Sequence, residues 1–96
     1  MGSVADARTL ARAILQGRLA ACVQVEEGLS SFYRWEGREC EDAEVRLTIK
    51  TLPHCEAALL ALFTQQHPYQ LPQFLCVRMR ASEAYLGWAR TEVPAP

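Results

Sequence analysis

His67 is the residue of this 96-residue chain best suited to holding a metal, because imidazole binds copper and zinc well and Pro68 and Pro72 give the loop after it a fixed shape. The competing reading is that its ring caps the last carbonyls of the helix before it. The four cysteines, Cys22, Cys40, Cys55 and Cys76, lie far apart and form no C-x-x-C pair, so their spacing is neither that of a zinc ribbon nor that of a dense disulfide framework. Cys22 and Cys76 sit in apolar runs, where a free thiol behaves as a small hydrophobe. Cys40 is surrounded by Glu39, Glu41 and Asp42, which disfavours the thiolate that a nucleophile needs. His54 and Cys55 are adjacent, but on a helix neighbouring side chains point about 100° apart, and Cys55 belongs to an apolar stripe. No G-x-S-x-G, H-E-x-x-H or phosphate-binding glycine loop is present, and the chain offers no nucleophile and base pair, so an enzyme is not expected.

Composition narrows the partners. Ten basic and eleven acidic residues give a net charge of −1, and the arginines are scattered from Arg8 to Arg90, which leaves no basic surface for a nucleic-acid backbone. The run from Ala43 to Thr51 carries no aromatic on which a base could stack. No apolar run reaches the roughly 20 residues needed to span a bilayer, and Met1-Gly2-Ser3 opens no signal-peptide core, so neither membrane nor export is expected and reduced thiols point to the cytoplasm. Residues 1–96 suffice for a single domain, in which a hydrophobic content of 50% favours self-association.

The elements that must position these groups follow from periodicity. Ala7, Leu10, Ala11, Ile14 and Leu15 form a helical stripe, with Ser3 and Asp6 as a capping pair and Gly17 as a stop where φ > 0 is needed. Leu19 to Trp35 reads as one long strand bent or bulged near Gly28. The polar stretch from Glu36 to Asp42 reads as a hairpin tip, after which Val45, Leu47 and Ile49 alternate with charged residues as a half-buried strand. Cys55, Ala58, Leu59, Leu62 and Phe63 repeat the helical stripe, with Thr51 as N-cap and Pro53 in the first turn, until His67-Pro68 ends the helix. Phe74 to Arg80 reads as a strand, Ser82 caps a last helix containing Tyr85 and Trp88, and Val93 to Pro96 is expected to fray. The order helix, strand, strand, helix, strand, helix is an α+β, ferredoxin-like split βαβ sandwich, an antiparallel sheet with helices on one face, whose first strand is missing or truncated. Because that strand would be central, the pattern leads us to expect a further strand preceding Met1.

Several segments resemble the CutA family: Arg18-Leu19-Ala20-Ala21-Cys22-Val23, Tyr33-Arg34-Trp35-Glu36-Gly37, Ile49-Lys50-Thr51, His67-Pro68-Tyr69 with Pro72, and Tyr85-Leu86-Gly87-Trp88. They occur in the family's order. The resemblance implies a ferredoxin-like homotrimer with a role in divalent-cation tolerance, copper above all. It implies weak copper or zinc binding with His67 as a ligand, a ligand pocket drawing on Tyr33, Lys50, His67 and Tyr69, and Trp35 and Trp88 at the trimer interface or in packing. A related implication is a sensor or scaffold like the PII-type trimers, which bind small effectors between subunits. The chain departs from the family pattern at its start, where the first strand and the cysteine some members carry on it have no counterpart, and at Gln73, where Glu is common.

Overall fold

The computed structural model describes residues 3–66 and 73–96. Helix α1, Val4–Gln16, begins where expected: the Ser3 hydroxyl accepts a hydrogen bond from the Asp6 amide at 3.2 Å. It buries Ala7, Leu10 and Ile14 against the sheet. Its end differs from expectation. Gly17 has a φ of −79°, and the left-handed residue is Arg18 at φ 56°. Arg18 N–H donates to Leu15 O and Leu19 N–H to Ile14 O, which is a Schellman closure with arginine in the position usually held by glycine. The side chain explains the choice. Its Nη2 and Nε donate to the carbonyls of Thr91 and Glu92 at 3.0 and 3.3 Å, the last turn of a helix 73 residues away. These bonds offset the roughly 1–2 kcal/mol that a Cβ costs in that conformation.

Strands β1, Cys22–Trp35, and β2, Arg38–Lys50, pair antiparallel along almost their whole length, with a register shift between Glu26 and Leu29 at Gly28, φ 80°, where the bulge was expected. The hairpin tip is tighter than the polarity of residues 36–42 suggests. Only Glu36 and Gly37 turn, both at positive φ, as in a type I′ hairpin. Arg38 to Asp42 belong to the ladder, because an arm projecting into solvent can be a strand without an apolar face. Thirteen residues at about 3.4 Å each give some 44 Å, which accounts for the 45 Å long axis of the molecule.

Leu52 precedes a 3-10 turn, Pro53–Cys55, that leads into α2, Glu56–Gln66. Thr51 is not the N-cap: its hydroxyl donates to Leu19 O at 2.6 Å and ties the residue after β2 to the segment leading into β1. Residues 73–81 form neither helix nor strand, and the sheet of the described residues holds β1 and β2, so the expected strand over Phe74 to Arg80 has no ladder there. Phe74 anchors the segment edge-on against Phe63, with ring centroids 5.5 Å apart. Helix α3, Glu83–Glu92, starts at Ser82, whose hydroxyl accepts from the Tyr85 amide at 3.1 Å. The tail is held rather than frayed at its start: Val93 is buried in the core, and His54 Nε2 lies 2.7 Å from Pro94 O. The core is one cluster: α1 contributes Leu10 and Ile14, α2 contributes Leu59 and Phe63, and Val45 comes from the sheet. The alternate residues Arg46, Thr48 and Lys50 face away from it.

Candidate functional site

Two surfaces of this frame are built for contact. The first is the polar face of the hairpin. Because Tyr33 pairs with Cys40, it shares a face with Asp42, Glu44, Arg46, Thr48 and Lys50. The Tyr33 hydroxyl donates a hydrogen bond to Asp42 Oδ2. This bond first, then partial desolvation and the charges of Asp42, Cys40 and Glu44, push the Tyr33 phenol up to about 12. Tyr33 is thus a neutral donor held by a carboxylate. Further along, Arg46 and Glu26 pair across the ladder at 3.4 Å, both solvent-exposed.

Lys50 closes the same row at its other end, opposite Cys22. Ten residues of strand separate it from Cys40, roughly 33 Å. Tyr33 and Lys50 thus stand far apart along the ladder, although both border the large cleft beside β2. His67 and Tyr69 lie outside the described residues. Among the described residues no three imidazole, thiol or carboxylate groups converge as metal ligands.

The second surface is a cleft of about 1750 Å³ between β2 and residues 73–79, floored by Leu59 and Phe63. It exceeds the roughly 300–1,000 Å³ typical of small-molecule pockets. Cys76, expected in the core, is exposed on its far wall, where the apolar packing of its segment on the core comes from Phe74. A hydrogen bond to Glu56 is the main cause that pushes its thiol up. Cys22 is half-buried and Cys55 is buried. Trp35 and Trp88 are 40% and 44% exposed on the single chain, Trp88 with its ring 5.5 Å from that of Tyr85.

The sequence reading missed the Tyr33 and Asp42 pair and the clasp of Arg18 on α3. The first has a signal, because a two-residue turn at Glu36-Gly37 makes 33 and 42 diagonal neighbours. The second has none, since nothing local marks an arginine that caps a helix 73 residues later.

With the geometry in view, the comparisons with known proteins are specific. Residues 1–92 match the family model for the CutA1 divalent ion tolerance protein. The chain belongs to the CutA1 family. A divalent-cation tolerance protein CutA of Thermus thermophilus is 40% identical over 85 residues, spanning 88% of this chain and 82% of that protein. The solved divalent cation tolerance protein from the same organism superposes with a TM-score of 0.94 at 37% identity, over 98% of this chain and 92% of the other. A CutA structure from Archaeoglobus fulgidus, described as a periplasmic divalent cation tolerance protein, gives a TM-score of 0.93 at 26% identity, over 97% and 91% of the two chains. The α+β, ferredoxin-like architecture read from the element order is thereby the CutA1 fold. No helix among the described residues is long and apolar enough to cross a membrane.

Proposed function

We propose that this chain is a homotrimeric divalent-cation tolerance protein of the cytoplasm, which binds copper or zinc weakly, with His67 among the ligands, and catalyses no reaction. The observation that carries the reading is the family match over residues 1–92, together with relatives named for divalent-cation tolerance. Self-association is supported by the apolar surface that one copy leaves open. Phe32 is 73% exposed, and it lies on the helix-covered side of the hairpin but beyond the reach of the helices. Leu75, Val77 and Met79 are more than three-quarters exposed as well. A metal site in this reading draws on His67 and on ligands from a second protomer.

The separation of Tyr33 from Lys50 favours a second reading, in which a small effector binds between protomers as in PII-type trimers, with Tyr33 and Asp42 from one copy facing Lys50, His67 and Tyr69 of the next. Calorimetric titration of the purified assembly with copper, zinc and nucleotides separates the two. Metal binding that His67→Ala largely removes supports the first. Nucleotide binding with no metal uptake supports the second, and no heat from any ligand removes both.

A further inference from the structure

A smaller cavity of about 370 Å³ is lined by Pro53 and His54 of the 3-10 turn, Arg90 of α3, and Pro94 and Pro96 of the tail. Its volume falls within the roughly 300–1,000 Å³ of small-molecule pockets. Its walls are anchored to the rest of the fold. Cys55 and Val93 are buried in the core, His54 Nε2 lies 2.7 Å from Pro94 O, and Arg18 holds the carbonyls of Thr91 and Glu92. Because a carbonyl oxygen only accepts, His54 Nε2 carries the proton and the imidazole ring is fixed against the tail. The three proline rings add apolar walls with little conformational freedom to lose.

One charged group in this lining has no partner in the fold. Arg90 stands in the last turn of α3, where a cation ordinarily answers the free carbonyls of a helix end. That place is already taken, because Arg18 donates to the carbonyls of Thr91 and Glu92. The Arg90 guanidinium has no hydrogen bond or ion pair among the described residues, and no Asp or Glu side chain lines the cavity. A planar fork of donors, uncompensated and beside proline rings, is the complement of a carboxylate joined to a small apolar body.

We propose that this cavity is a binding site for a small organic monocarboxylate, its carboxylate held by Arg90 and its apolar body packed against Pro53, Pro94 and Pro96. A single guanidinium balances one negative charge, which selects a monocarboxylate over a phosphate dianion. The probe is benzoate, titrated into the isotope-labelled full chain without metal and followed by amide chemical shifts. Saturable shifts centred on residues 52–55 and 89–95 are expected. Arg90→Gln, at an exposed position and so harmless to the core, should weaken binding about tenfold. Arg90→Lys, which keeps the charge and loses the fork, should weaken it less. Benzyl alcohol, which lacks the charge, and acetate, which lacks the apolar body, should each bind about tenfold more weakly than benzoate. An unchanged melting temperature of Arg90→Gln shows that the loss is one of binding and not of folding. No shifts, shifts centred elsewhere, or binding that Arg90→Gln leaves unchanged overturns the proposal. So does benzyl alcohol, acetate or inorganic phosphate that binds as tightly as benzoate. Because no metal is present, these outcomes are independent of the metal-tolerance reading.

Discussion

Replacing Asp42 by Asn tests how the polar face of the hairpin is held. Tyr33 is pushed up to about 12 chiefly by its hydrogen bond to Asp42. The free phenol titrates near 10. At pH 11 a group with a pKa of 12 is roughly one-tenth ionised and one with a pKa of 10 roughly nine-tenths, so most of the Tyr33 signal should appear at that pH in the variant and little in the parent. The assay is the absorbance of tyrosinate near 295 nm, with Tyr33→Phe as the baseline that removes the contribution of the other two tyrosines and with circular dichroism to confirm that the chain is folded. A raised phenol means that the pairing is fully present below pH 10, fades between 10 and 12, and is gone above. A Tyr33 midpoint that stays near 12 in Asp42→Asn, or one near 10 in the parent, would show that Asp42 is not what holds the phenol.

Three further outcomes follow from packing and capping. Leu10→Ala empties a position 1% exposed at the centre of the core and should cost about 2–5 kcal/mol by denaturant unfolding, against well under half that for Leu15→Ala at 48% exposure. Arg18→Ala keeps the left-handed backbone and deletes both bonds to the end of α3, so it should cost about 1 kcal/mol and speed amide exchange in residues 83–92 more than elsewhere. Gly37→Val places a β-branched residue at φ 78° in the hairpin turn and should destabilise by about 1–2 kcal/mol, read as a lower melting temperature with the fold kept.

How much of this was legible in the sequence depended on the range over which each feature is decided. The stripes of Leu10 and Ile14 and of Leu59 and Phe63, the serine caps at Ser3 and Ser82, and the bulge at Gly28 are decided by residues within a turn or two of each other, and periodicity finds them. The hairpin tip is shorter than the charge of residues 36–42 suggests, because a strand in solvent on both sides carries charge freely and only Glu36 and Gly37 have turn geometry. Gly17 drew attention as the natural left-handed residue, but Arg18 takes that place for contacts 73 residues away. Phe74 to Arg80 has the β-rich pattern of a strand, yet a strand is completed by its neighbour, and no pattern within the segment supplies one. The candidate pocket divides in the same way. Tyr33 and Lys50 share a facing by simple alternation, but their separation along the ladder emerges only once the register is known.

Whether the chain forms a homotrimer that takes up divalent metal is read most directly by native mass spectrometry of the intact protein with and without added copper. A species of about 32 kDa, three times the 10.8 kDa chain, that gains copper adducts is expected. A spectrum that shows only the 10.8 kDa chain, with no copper bound, would contradict it.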